Sequence, residues 1–142
     1  MTDSPYVVVD ASLWVARLVP QDTFHKASKN WMESMASQAT VLLSPTLLLA
    51  EVAGAITRRT ALPELALRAV EALQLLPDLR LVEMDQSLVQ QAAQLAARHA
   101  LRSADALYVA VAAQLGIPLV TLDADQRARA GNLVTILPIE DQ

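Results

Sequence analysis

The chain has 142 residues, a formal net charge of −4, 54% hydrophobic and 18% charged residues. That composition excludes a disordered chain and suits one domain spanning residues 1–142 with a core of ordinary size. The acidic balance excludes a general electrostatic coat for nucleic acid, and the absence of cysteine excludes a disulfide framework and cysteine-ligated zinc.

Tyr6 to Val9 is a short β-branched run and reads as the first strand, ending at Asp10. A short helix is expected from Ala11 to Leu18. After a turn at Pro20-Gln21-Asp22, Asp22 or Thr23 can cap a helix from about Phe24 to Ser37, with Phe24, Ala27, Trp31 and Met35 inward. Thr40 to Leu43 is a second strand. Ser44-Pro45 reads as a helix start, the serine as N-cap and the proline at the first helical position, and this helix should run to about Arg59. Pro63 opens another helix ending near Leu76-Pro77. Leu79 to Glu83 is a third strand, and Gln86 to His99 a helix with Leu88, Ala92, Leu95 and Ala96 inward. Ser103 is the expected cap of the next helix. Pro118 to Leu122 is a fourth strand, Asp123 to Ala130 a short helix and Leu133 to Ile136 a fifth strand, with a loosely held tail after Pro138. Strands alternating with helices indicate an α/β fold, a parallel sheet covered on both faces.

The long charge-free run Ala106 to Leu122 contains Gln114 and a Gly116-Ile117-Pro118 turn, so it reads as helix plus strand and no membrane association is expected. The first residues carry no basic segment of a secretion signal, and a cytoplasmic location is expected.

The acids are distributed unusually. Open α/β sheets bind ligands at the carboxyl ends of their strands. Asp10 and Asp123 stand at two such ends, Asp105 begins the helix leading into the fourth strand, and Glu51 lies on the helix after the second. Asp10 and Asp123 can be simple N-caps, and Asp105 can answer the helix dipole. Capping does not account for Glu51, the only charge between Ser44 and Thr57, with Leu47, Leu48, Val52, Ala55 and Ile56 around it. Converging carboxylates repel one another and need a cation. Oxygen ligands suit Mg²⁺ or Mn²⁺, and such an ion activates water and offsets charge on a phosphoryl oxygen, which points to phosphodiester hydrolysis.

Four segments together resemble the PIN domain family in its VapC-like prokaryotic form: Val8-Val9-Asp10-Ala11-Ser12, Leu49-Ala50-Glu51-Val52, Ser103 to Ala110 and Leu119-Val120-Thr121-Leu122-Asp123. The resemblance covers nearly the whole chain. It implies a three-layer sandwich with a five-stranded parallel sheet in the order 3-2-1-4-5. It also implies a metal-dependent endoribonuclease, often the toxin of a type II toxin–antitoxin pair, leaving a 5′-phosphate and a 3′-hydroxyl. By position Asp10, Glu51 and Asp105 match the family's core acids and Asp123 the variable fourth, with Asp125 a competitor for that place. Asp10, Asp105 and Asp123 are then the expected metal ligands, with Glu51 acting through water. Ser12 and Thr121 match supporting hydroxyls. The expected partners are RNA, a cognate antitoxin and a second copy of the chain. The alternative is a PIN-fold interaction module with weak or no nuclease activity, acting through protein or RNA partners.

Arginine supplies nearly all the positive charge, since Lys26 and Lys29 are the only lysines. Arg102 and Arg127, next to the acids in sequence, and Arg58 and Arg59, closing the Glu51 helix, are the candidates for RNA phosphates. His25 and His99 lack partners at ligand spacing, and Trp14, Trp31 and the methionines read as packing residues. A receiver domain needs a lysine after the fifth strand, and a haloacid-dehalogenase-type phosphatase needs an aspartate where Ser12 stands. The three glycines, Gly54, Gly116 and Gly131, form no phosphate loop.

Overall fold

A computed structural model describes residues 4–139. Its four strands are β1 (Tyr6–Val9), β2 (Val41–Pro45), β3 (Leu79–Val82) and β4 (Leu119–Val120), all parallel, in the order β3-β2-β1-β4. The helices are α1 (Ala11–Leu18), α2 (His25–Ser37), α3 (Leu47–Thr60), α4 (Pro63–Leu75), α5 (Gln86–His99), α6 (Ser103–Leu115) and α7 (Ala124–Ala130). This is the expected three-layer α/β sandwich.

A parallel sheet is covered on both faces, so its central strands are apolar throughout rather than alternating. Val7, Val8 and Val9 accordingly have no exposed surface. Helix α6 packs on β1 and β2 with α5 against it, while α3 packs on β2 and joins α1 and α4. From Tyr108 to Ala112 every α6 residue is buried, as expected of a helix apolar on all sides. It ends where Gly116 takes the left-handed conformation at φ 64°, and Pro118 prevents its continuation.

Several expected boundaries move. The fifth strand is reduced to one parallel bridge between Leu119 and Ile136, held by Leu119 N–H to Thr135 O and Leu137 N–H to Leu119 O, both 2.9 Å. The cause is the shortness of β4. Its last backbone bond to β1 is from Asp10 N–H to Val120 O at 3.0 Å, and at Thr121 the chain already turns into the site. The bridge still occupies the fifth position in the expected order.

Ser44 and Pro45 lie in β2 and do not start a helix. Pairing with β3 continues to Pro45 opposite Val82, so α3 begins only after Thr46. The Ser44 hydroxyl is buried, donating to Val9 O at 2.6 Å and accepting from Trp14 Nε1 at 3.3 Å. Ser103 is not a cap either: Arg102 holds that position, with no side-chain cap bond. Phe24 is the N-cap of α2 and is 36% exposed rather than inward. Residues 140–142 of the expected loose tail, and the first three residues, lie outside the described residues.

Candidate active site

The carboxyl ends of β1, β2 and β4 open on one region, and the four acids enter it from the first two turns or the N-caps of four helices. Asp10 is the N-cap of α1 and Asp123 the N-cap of α7, so the simple capping role holds for both. Asp10 does more than cap. Its Oδ2 accepts from Ser12 N at 3.2 Å, Ser12 Oγ at 2.6 Å and Thr121 Oγ1 at 3.0 Å. Ser12 Oγ also accepts from Leu122 N at 3.0 Å, tying the start of α1 to the segment after β4.

Glu51 projects from the second turn of α3 and is half-buried. Its Oε1 accepts from the Tyr108 hydroxyl at 2.7 Å. Asp105 lies in the first turn of α6 and is 9% exposed. Its Oδ2 accepts from Arg102 Nε at 3.0 Å, and Arg102 Nη2 donates to Asp123 Oδ2. The Asp123 Oδ1 meanwhile accepts from Asp125 N and Gln126 N. Asp125 turns elsewhere: both of its oxygens accept from Arg129 Nε at 3.0 Å.

The electrostatics record the crowding. Burial pushes the Asp10 carboxyl above its ordinary value; hydrogen bonds from Ser12 and Thr121 oppose this, and the Asp105 charge adds to it. Glu51 is raised by burial, then by Asp10 and Asp105, against the pull of Tyr108. Asp105 is raised by burial and by Asp123 and Asp125, against Arg102. At Asp123 burial is outweighed by the Gln126 and Asp125 amides and by Arg102, so its carboxyl is lowered. Three acids in one place resist ionisation, the condition that a bound cation relieves.

The donor chemistry is oxygen-only and fits a hard divalent cation. Among the described residues, however, no three acid or histidine side chains stand close enough, as oriented, to share one ion. Asp105 and Asp123 are turned onto Arg102 instead.

A cleft of about 450 Å³ adjoins the acids, lined by Ser12, Glu51 and Asp123 and by Asp22, Arg58 and Arg59. Of the arginines singled out in the sequence, Arg59 pairs with Asp22 and Arg127 Nη1 donates to Thr121 O at 3.2 Å. Arg58 folds over Gly54, so close that a Cβ there would meet its Nη1 at 3.0 Å. A separate, apolar cavity of about 300 Å³ lies at the amino ends of β2 and β3, lined by Trp14, Met32, Leu73 and Leu76 among others, and none of the four acids reaches it.

The family model described as "PIN domain" matches residues 7–132. The chain belongs to the PIN domain family. Its relatives among solved structures include VapC20 of Mycobacterium tuberculosis, a toxin that cleaves the sarcin–ricin loop. That match has 26% identity and a TM-score of 0.77, and covers 93% of this chain and 99% of that one. VapBC2 of Rickettsia felis, solved bound to a DNA fragment from its promoter, is similar at 14% identity and a TM-score of 0.72, covering 95% and 99%. FitAcB of Neisseria gonorrhoeae is similar at 19% identity and a TM-score of 0.69, covering 93% and 96%. No curated protein matches the chain. The VapC-like resemblance read in the four segments is therefore shared by the fold of this PIN domain.

Two side chains at the acids of this PIN domain were not singled out in the sequence. Tyr108 lies three residues after Asp105, on the same face of α6, a spacing that does point it toward the same region. Gln126 is fully buried on α7. It stands 2.9 Å from Thr121 Oγ1, and its Nε2 lies 3.5 Å from Asp105 O. Thr121 has one hydroxyl hydrogen for two acceptors, Asp10 and Gln126, so the orientation of the Gln126 amide governs whether Asp10 receives it. A glutamine on a short helix beside Arg127 and Arg129 gives no sequence signal of burial.

Proposed function

We propose that this PIN domain is a divalent-metal-dependent endoribonuclease and the toxin of a toxin–antitoxin pair acting in the cytoplasm. The observation that carries the reading is the meeting of Asp10, Glu51 and Asp105 at the carboxyl edge of the sheet, where the Asp105 charge raises the proton affinity of Asp10 and both raise that of Glu51. The toxin assignment is supported by the likeness to VapC20, described as a sarcin–ricin-loop-cleaving toxin, and to VapBC2.

In this reading Asp10 and Asp105 hold the cation directly, and Asp123 completes the set. Asp123 is preferred to Asp125 because it shares Arg102 with Asp105, whereas Asp125 is 59% exposed and held by Arg129. When bound, Mg²⁺ or Mn²⁺ lowers the pKa of a water and neutralises charge on the scissile phosphoryl group. Ser12 and Thr121 orient Asp10 through its Oδ2 and leave Oδ1 outside those hydrogen bonds. Glu51, held by Tyr108, faces the cleft and acts on the attacking water. Arg58 and Arg59 line the same cleft and provide positive charge for RNA phosphates.

The alternative, an interaction module with weak catalysis, draws on one fact: the acids as oriented do not yet form a three-ligand set. Expression in a bacterial host separates the two. The nuclease toxin reading expects growth arrest and RNA fragments bearing new 5′-phosphates, both lost in Asp10→Ala and both suppressed by the product of an adjacent antitoxin gene. Arrest that persists in Asp10→Ala would favour the interaction module. A homodimer is part of the proposal, tested by sedimentation.

A further inference from the structure

Arg102 holds Asp105 and Asp123 at the same time. Its Nε bonds one residue on α6 and its Nη2 the N-cap of α7. Its own side chain is 68% exposed and makes no cap bond for α6. It is therefore a largely exposed arm held on two less exposed acids by its ion pairs. A guanidinium bridging two carboxylates neutralises them as a cation would, with hydrogen bonds in place of coordination.

We infer that Arg102 is a resident counter-ion of the acid site, occupying Asp105 and Asp123 until a divalent cation displaces it and frees its guanidinium for a substrate phosphate. This rests on the metal-dependent reading above. Two consequences follow. First, cation binding competes with Arg102, so removing the arginine tightens the cation. Second, the displaced side chain stays tethered beside Asp123, which lines the cleft, and its planar fork suits a phosphate. Cation and RNA binding are then coupled through one residue, and by linkage the coupling is reciprocal.

Charge alone also predicts tighter cation binding when an arginine is removed, so the test must separate charge from the bridge. Mn²⁺ affinity is measured by calorimetry, or by the free-ion electron paramagnetic resonance signal, on the intact protein and on Arg102→Gln, Arg102→Lys and Arg127→Gln. Arg127 carries the same charge nearby but bonds the Thr121 carbonyl, not an acid. The expected result is Mn²⁺ binding tighter by roughly fivefold or more in Arg102→Gln. A clear gain is also expected in Arg102→Lys, which keeps the charge but cannot span both carboxylates. Arg127→Gln should change little. In the intact protein the Arg102 side-chain Nε resonance should shift on addition of Mg²⁺, and the RNA affinity of a cleavage-dead Glu51→Gln variant should rise with Mg²⁺ only while Arg102 is present.

Equal Mn²⁺ affinity in the intact protein and Arg102→Gln overturns the inference and leaves the metal reading standing. So does a gain in Arg102→Gln that is matched by Arg127→Gln or absent from Arg102→Lys. Failure of Mn²⁺ to bind any of the four proteins overturns both.

Discussion

The Tyr108 hydroxyl donates to Glu51 Oε1 at 2.7 Å, joining α6 to α3 across 57 residues of sequence. Tyr108 is fully buried, and burial followed by the Glu51 charge pushes its hydroxyl far up, so it stays a neutral donor at any working pH. Tyr108→Phe removes that donor with little change of shape. The expected cost in stability is about 1 kcal/mol. Since the hydrogen bond is the influence that lowers the Glu51 carboxyl, its loss raises Glu51 further, and the acid limb of the pH–rate profile moves to higher pH. A fall in kcat of about tenfold with KM nearly constant is expected if Glu51 acts on the water. An unmoved acid limb would show that Glu51 does not govern it.

Asp10→Asn should separate stability from function. Asparagine caps helices as well as aspartate, and its Oδ1 can take the place of Oδ2 toward Ser12 and Thr121. The folded Asp10 carboxyl is raised above its unfolded value near 3.8. The native state therefore binds more protons than the unfolded state, and metal-free stability rises as pH falls from neutrality through the folded pKa, levelling below the unfolded one. Asp10→Asn removes this contribution and should raise the metal-free Tm at neutral pH. The intact protein should instead gain about 2.7 kcal/mol at a cation concentration one hundred times Kd, and the variant should gain far less. Thermal unfolding across pH, with and without Mn²⁺, checks both.

Arg58 and Arg59 should part company despite being neighbours. Arg59 is engaged with Asp22, whose carboxyl is raised by burial but brought below its ordinary value overall by Arg59 and the Phe24 amide. That pair stabilises the fold above the unfolded aspartate pKa and loses its contribution as pH falls through the lower folded one. With Arg59 about half in solvent, a screened pair of this kind is worth on the order of 1 kcal/mol. Arg59→Gln should thus lower the Tm slightly at neutral pH, the difference vanishing in acid. Arg58→Gln should leave the Tm alone, weaken RNA binding and reduce its log–log salt slope by about 0.7. Equal salt slopes in Arg58→Gln and the intact protein would remove Arg58 from the interface.

Ala61 and Ala100 close α3 and α5 in the left-handed conformation, with φ of 59° and 54°. Glycine adopts that geometry without the Cβ clash. Ala100→Gly should stabilise the protein by about 0.5–1 kcal/mol after its extra unfolded-state entropy is counted. The corresponding rise in Tm is about 2–4 °C, read by calorimetry.

These particulars show which levels of structure a sequence displays. The β-branched run Val7–Val9 and the Tyr108–Ala112 stretch of α6 announce themselves because burial on all sides leaves no charged residue to disguise them. The strand order followed from family likeness, not from the residues. Ser44-Pro45 misled because a hydroxyl before proline is a local signal, and the tertiary pairing of Pro45 with Val82 overrode it. The fifth strand failed because a strand needs a neighbour of matching length, and β4 has only two residues. At the site, the isolation of Asp10, Glu51 and Asp105 among apolar residues was legible. The arrangement of Arg102, Tyr108 and Gln126 around them was not, since each depends on contacts between helices distant in sequence.

The central claim is that these acids hold a divalent cation that cuts RNA. Its most direct test is cleavage of a structured RNA by purified protein in Mg²⁺ or Mn²⁺, with chelator, and after restoring the ion, beside Asp105→Asn. The account predicts fragments with 5′-phosphate ends that vanish with chelator, return with the ion and are absent from Asp105→Asn. Cleavage that survives chelation, or equal cleavage by the intact protein and Asp105→Asn, would contradict it.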